Sequence, residues 1–156
     1  MKLSQELLER VASHVLGDVT CILARPLGTA PPHVETWAAT GARLRFRGPW
    51  RGYMELWAPR DAASILAADL LGQAEDDATT SVDAIDAVME MLQVLCGNML
   101  AALAGPDWAF SLGTPRRQER LVPFSESERG VEAWLEAGGH PLLMRLRVAS
   151  PEPEIA

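Results

Sequence analysis

The chain has 156 residues, of which 48% are hydrophobic and 22% charged, a composition typical of one globular domain that can bury a core. Its net charge is -7, and this balance argues against a nucleic-acid binder, which needs a concentrated basic face. We interpret the two groups of arginines as the solvent-facing sides of strands; they are Arg43, Arg45, Arg47 and Arg116, Arg117, Arg120. We predict one domain over residues 1–149 and a flexible tail over residues 150–156.

Targeting and redox features are sparse. The N-terminus lacks the apolar core of a signal peptide, and no apolar run approaches the roughly 20 residues that span a bilayer. We therefore expect a cytoplasmic protein without membrane insertion. Cys21 and Cys96 both lie in apolar runs. One disulfide is arithmetically possible, but we expect buried free thiols in a reducing compartment.

The first helix is predicted over Ser4–Leu16, because apolar residues recur there at helical spacing. Ser4 can cap its start and Gly17 can end it. A strand over Val19–Ala24 and a loop over Gly28–His33 are predicted to follow.

From Val34 to Pro59 the hydrophobic period changes to two. Leu44 and Phe46 alternate with arginines, and Gly48-Pro49 marks a turn, so we predict an antiparallel pair with one solvated face. A helix is predicted to run from Asp61 to Gly72. An acidic linker then leads to a capping box formed by Thr80 and Asp83.

A long helix is predicted over Ser81–Ala104, stopped by Gly105-Pro106. Strand candidates follow at Trp108–Leu112, Arg117–Pro123, Val131–Glu136 and Leu142–Val148. Gly138-Gly139 is expected to join the last two as a hairpin, with Arg145 and Arg147 pointing outward. The predicted fold class is α/β (α+β), with one antiparallel sheet and two long helices packed on it.

The long helix separates into two faces at about 100° per residue. The predicted core face consists of Val82, Ile85, Val88, Met89, Leu92, Leu95, Cys96, Met99, Leu100 and Leu103. The opposite, narrower face, which we call the polar stripe, consists of Asp83, Asp86, Glu90, Gln93, Gly97 and Ala101. Glycine inside a helix costs about 1 kcal/mol relative to alanine, so something needs the missing side chain of Gly97. Taken alone, the stripe also fits plain solvated surface, with Gly97 making room for the first helix.

The segment Asp86-Ala-Val-Met-Glu90-Met-Leu-Gln93-Val-Leu-Cys-Gly97-Asn98 resembles the signature helix of the CheC/CheX/flagellar-switch phosphatase family. That helix reads Asp, three residues, Glu, two residues, Asn, three residues, Gly-Asn. This chain matches the pattern except that Gln93 replaces the family's catalytic Asn. The segments Gly52–Trp57, Ala62–Gly72 and Phe110–Pro115 are similar to the family's flanking elements.

CheC-like members carry a second Glu-x-x-Asn site on the first helix. Here the first helix offers Glu6-Leu-Leu-Glu9, which lacks the amide. The resemblance is therefore closest to the single-site, CheX-like members, which pair as dimers, and it implies a homodimer.

The resemblance implies a phosphorylated CheY-like response regulator as partner and hydrolysis of its aspartyl phosphate as activity. Gln93 would position the attacking water and Glu90 would pair with the regulator's lysine, while Asp86 and Gly97 would serve docking. The regulator would supply Mg²⁺, so no cofactor of the chain's own is expected. No metal site is predicted, because the three histidines lack ligand spacing.

Two alternatives stay open on the sequence. Gln is one methylene longer than Asn, and an error of about 1.5 Å in water position can cost on the order of 10²-fold in rate. The chain could therefore be a non-catalytic module that binds a response regulator, with a degenerate site at Gln93. It could also be a dimeric scaffold of the same fold.

Overall fold

In the part of the chain that the structure describes, two long helices pack on a seven-stranded antiparallel sheet. The computed structural model describes residues 3–20, 23–32, 37–60, 62–65, 81–124 and 129–149. The helices are α1 (Gln5–Thr20) and α2 (Ser81–Ala104). The strands are β1 (Ala24–Pro26), β2 (Ala39–Arg47), β3 (Arg51–Pro59), β4 (Ser111–Leu112), β5 (Arg116–Gln118), β6 (Gly130–Ala137) and β7 (His140–Ala149). Their order is β1-β6-β7-β3-β2-β4, and β5 also pairs with β2, so the predicted fold class is confirmed.

Two hairpins form the middle of the sheet. Arg47 lies opposite Arg51 in the β2–β3 hairpin, which confirms the turn at Gly48-Pro49. β6 and β7 are joined at Gly138 and Gly139, whose φ angles of 59° and 82° are those that a two-residue type I′ turn requires. That turn lets the strands keep their right-handed twist, so the glycine pair was a sound hairpin signal.

The main core lies between the two helices and the inner face of the sheet. Inward side chains of β2 and β3, such as Phe46 and Leu56, are buried together with Val88 and Leu92 of α2. Cys96 is a buried free thiol, as expected, and burial raises its pKa from 9.0 to about 12. It is therefore protonated at neutral pH. Cys21 lies outside the described residues.

The outer face of the sheet is not the solvated surface that the alternation predicts. Arg145 lies on the outer face of the sheet, as predicted, but it is only 2% exposed, so facing outward does not place it in solvent. A second cluster of buried residues, Trp57, Trp134 and Leu143, covers this end of the sheet, with Trp37 packed against it. Period-two alternation identified which side chains share a face, but it could not show that later segments would cover that face.

The N-terminal elements differ from the prediction in their bounds. The Ser4 hydroxyl accepts a hydrogen bond from the Leu7 N–H at 3.1 Å, which confirms the cap. Gly17 does not end α1, because the helix continues to Thr20, and the predicted strand at Val19–Ala24 is replaced by β1. β1 can contain a proline because it is an edge strand, and the backbone groups along its outer edge have no neighbouring strand to which they hydrogen-bond.

Two later strands are shorter than predicted. β4 and β5 both pair with the edge of β2 that lies away from β3. Between them, residues 113–115 stand opposite only Leu44 and Arg45, so one extra residue breaks the ladder, although the Gly113 N–H still donates to the Arg45 carbonyl at 2.8 Å. After β3, Arg60 and residues 62–65 are helical; the rest of the helix predicted up to Gly72 and the capping residue Thr80 lie outside the described residues.

Helix α2 is unusually apolar. Its segment Ala84–Ala104 is 21 residues long with a mean hydropathy of 1.6, which would be enough to cross a bilayer by length and composition. The expectation that no apolar run approaches 20 residues is therefore wrong. Half of this stretch is buried within the domain, so packing on the sheet and on α1 explains its composition.

Candidate functional site

Helix α2 keeps the bounds predicted from the sequence, Ser81–Ala104. It ends where Gly105 adopts a φ of 82° and donates its N–H to the Ala101 carbonyl at 2.9 Å. This is the left-handed termination that glycine favours. The helix is therefore a rigid rod that fixes the spacing of the side chains along it.

The predicted core face of α2 is confirmed wherever the structure describes its side chains. These residues are buried, except that Met89 is half-buried; Val82 is not described at the side-chain level. Met91 and Ala87 are buried as well, which makes the core face wider than predicted. The core face is wider because α2 packs against α1 as well as against the sheet.

The polar stripe is exposed along most of its length. Asp86, Glu90 and Gln93 are exposed, and Gly97 is half-buried. Within the described part of the chain, the first three side chains make no hydrogen bond or ion pair. Glu90 and Gln93 are three residues apart, which is about 4.5 Å along the helix axis and close to one full turn. Both side chains therefore project from the same side of the helix. Their carboxylate and amide groups are available to a second molecule.

Gly97 opens onto empty space. A Cβ atom built at this residue has no described atom within 4 Å. The alternative that Gly97 makes room for the first helix is therefore wrong. Nothing among the described residues offsets the destabilisation of about 1 kcal/mol that a glycine in a helix interior brings. The surface beside Gln93 is flat enough for another backbone to approach.

Asn98 has a structural role within its own helix. Its side-chain Nδ2 donates to the Val94 carbonyl at 2.8 Å. The bond joins Asn98 to its own helix and not to a neighbouring segment. The contact leaves the residue outside the stripe.

Helix α1 carries no equivalent stripe. Glu6 is exposed, but the Glu9 carboxylate accepts a hydrogen bond from Gln5 Nε2 at 2.8 Å, and no amide stands at the fourth position. Among the residues that the structure describes, no three His, Cys, Asp or Glu side chains come together as a metal site.

Replacing Gly97 by alanine tests whether the domain itself needs the glycine. Because the new methyl group meets open space, we expect Gly97→Ala to raise the free energy of unfolding by about 0.5–1 kcal/mol. Urea denaturation of both proteins measures the difference. A loss of stability would show that the glycine serves the fold rather than a partner.

The family of the chain is identified from the segment that runs from β2 to β5. Residues 40–119, which are 80 of the 156 residues, match the family of chemotaxis phosphatase CheX. The chain belongs to the CheX family. The matched segment contains the whole of α2, so the predicted resemblance is confirmed.

Solved structures of CheX proteins share the fold. The chain is similar to CheX from Desulfovibrio desulfuricans, with a TM-score of 0.70, 17% identity, and coverage of 92% of this chain and 97% of that one. It is similar to CheX from Vibrio vulnificus, with a TM-score of 0.73, 13% identity, and coverage of 95% and 100%. A CheX–CheY–BeF3–Mg²⁺ complex from Borrelia burgdorferi contains a chain with a TM-score of 0.68, 15% identity, and coverage of 96% and 100%. No curated protein matches the chain.

Proposed function

We propose that this CheX-family protein binds a phosphorylated CheY-type response regulator through the polar stripe of α2 and hydrolyses its aspartyl phosphate. Family membership supports the reaction class, and the Borrelia burgdorferi complex of CheX with CheY supports the kind of partner. The observation that carries the proposal is the open surface at Gly97, one helical turn from Gln93 and two from Glu90, since neither side chain pairs with any of the described residues.

Gln93 is the residue proposed to act on water. An acyl phosphate is already reactive, so catalysis requires mainly that a water be held in line with the phosphorus atom. The amide oxygen of Gln93 can accept a hydrogen bond from that water, and its NH₂ group can donate to a phosphoryl oxygen. Glutamine positions the attacking water in Ras-like GTPases, so its longer stem is compatible with the task.

The rest of the stripe is proposed to hold the regulator. Glu90 lies one helical turn from Gln93 and would form a charge-assisted hydrogen bond with the regulator's lysine. Asp86 would extend the acidic contact, and Gly97 would admit a loop of the regulator. The regulator is proposed to bring its own Mg²⁺.

The experiment measures phosphate release from the phosphorylated regulator encoded near this protein. Wild-type protein should accelerate release. Glu90→Ala should weaken binding about 10- to 100-fold, because one charge-assisted hydrogen bond is lost at the interface. Glu6→Ala is the matched control, since it removes an exposed helical glutamate from α1 and should leave the rate unchanged. No acceleration by the wild type, or equal effects of both substitutions, would contradict the proposal.

The Gln93 position favours a second candidate function. A module that binds the phosphorylated regulator without hydrolysing it would show affinity that depends on phosphorylation and no change in phosphate lifetime. A scaffold that has lost the regulator would leave the regulator's NMR spectrum unchanged on mixing. The homodimer, the single domain over residues 1–149 and the cytoplasmic location stay predictions.

A further inference from the structure

A groove lined by arginines lies where β4 and β5 pair with β2, on the sheet face opposite to α2. Its volume is about 490 Å³. We call it the arginine groove; its polar lining includes Arg43, Arg45, Arg47, Ser111, Thr114, Arg116 and Gln118. The first three alternate along β2 with core residues, which places their side chains on the outer face. The polar stripe of α2 is therefore on the other side of the sheet.

Among the described residues, only one of the four arginines has a partner. Arg43 donates to Glu55 at 2.9 and 2.6 Å and stacks 4.1 Å from the centroid of the Tyr53 ring. In contrast, Arg45, Arg47 and Arg116 are exposed and make no hydrogen bond or ion pair within the described part of the chain. Three uncompensated guanidinium groups thus face one groove.

The strand pairing brings these like charges close together. Arg45 and Arg47 are two residues apart on one strand, about 7 Å. Arg116 of β5 lies directly opposite Arg43 of β2. Like charges that face each other across strands destabilise a sheet, and a bound anion would relieve that local repulsion.

The chemistry of the lining selects the anion. Planar guanidinium groups match phosphate oxygens in bidentate hydrogen bonds, and the hydroxyls of Ser111 and Thr114 add neutral donors. Leu112 is the one large apolar residue among the lining residues that the structure describes, and no aromatic ring stands among them to stack on a base. Cations spaced along a strand suit successive phosphoryl groups better than a single one.

We propose that the arginine groove binds a linear di- or triphosphate group, either as an inorganic chain or as the phosphates of a nucleotide. This ligand site is separate from the proposed reaction, because the stripe of α2 and the groove lie on opposite faces of the sheet. The site can therefore be tested without any response regulator.

The test is calorimetric titration of the full chain with inorganic triphosphate in Mg²⁺-free buffer at low salt. Wild-type protein should bind saturably, and added salt should weaken binding because the contacts are electrostatic. Arg45→Gln/Arg47→Gln should reduce affinity at least 10-fold, since it removes two charge-assisted contacts. Both side chains are exposed and their mutual repulsion is removed, so the temperature of thermal unfolding should not fall.

The matched control is Arg10→Gln/Arg60→Gln, which removes the same charge from exposed arginines outside the groove and should retain wild-type affinity. A parallel titration with ATP identifies the source of the ligand. Equal affinities assign the site to the phosphate chain itself, and tighter binding of ATP assigns it to a nucleotide. No saturable binding, equal losses in both double variants, or binding only of an acidic peptide would overturn the proposal.

Discussion

Glu55→Ala is expected to lower the free energy of unfolding by about 3–5 kcal/mol. Glu55 is 2% exposed and is the centre of a buried polar network on the outer face of the sheet. Its carboxylate accepts from Arg43 at 2.6 Å, from Arg145 at 3.2 Å and from the indole N–H of Trp57 at 3.0 Å. Removing it leaves three donors without their shared acceptor.

The size of the effect comes from Arg145. This side chain is also 2% exposed, so losing Glu55 removes its buried counter-charge and leaves a buried cation paired only with Glu132, which is 44% exposed. Its remaining contacts are the ion pair with Glu132 at 2.9 Å, the Val122 carbonyl at 2.7 Å and the Phe124 ring at 3.8 Å. These contacts hold the guanidinium in place, so it cannot move out to solvent without disturbing the segment from Val122 to Phe124.

Urea denaturation measures the difference, with Glu136→Ala as the control. Glu136 also pairs with an arginine, Arg25, at 3.0 Å, but that arginine side chain is 70% exposed. Its loss should therefore change stability by no more than about 1 kcal/mol. Equal effects of the two substitutions would contradict the view that burial makes the Glu55 network important.

Gln93→Ala is expected to reduce the acceleration of phosphate release on the order of 100-fold while the regulator still binds. The reason is that alanine removes the only group proposed to orient water and leaves Glu90 and the Gly97 surface intact. The measurement compares the maximal rate at saturating protein with the affinity for the regulator. A proportional loss of both would show that Gln93 serves docking instead.

Gln93→Asn refines the same point, since it restores the residue of the CheX pattern. An increase in the rate of phosphate release would show that the wild-type protein is an enzyme whose rate is lowered by the extra methylene group of Gln93. An unchanged rate in a variant that still binds would favour the non-catalytic module.

Much of the site could be predicted from the sequence because it is local. The bounds of α2, its core face and the exposure of Asp86, Glu90 and Gln93 all follow from a 3.6-residue period within one helix. The hairpins were likewise predictable, because turn residues such as Gly138-Gly139 lie next to the strands that they join. Gly97 was identified from the sequence because glycine destabilises a helix interior, but the open space beside it is visible only in the structure.

The features that the sequence did not predict depend on contacts between distant segments. The alternation of residues along β7 predicts a solvated side chain at Arg145. Its burial depends on contacts with Glu55, which is 90 positions away in the sequence, and with the segment around Phe124. The arginine groove likewise combines β2 with residues that follow α2. Two groups of arginines were visible in the sequence, but it did not show that Arg116 of the second group would join the first group in one groove.

The open surface at Gly97 can be tested most directly by blocking it. The measurement is the affinity of the phosphorylated regulator for Gly97→Leu compared with Gly97→Ala, both of which place a side chain in space that is empty in the folded protein. We expect the Gly97→Leu protein to fold and to bind the phosphorylated regulator about 10- to 100-fold more weakly, because overpacking at a close interface costs about 1–3 kcal/mol. The Gly97→Ala protein should lose less affinity. Unchanged binding by a folded Gly97→Leu protein would contradict the claim that the regulator meets this face of α2.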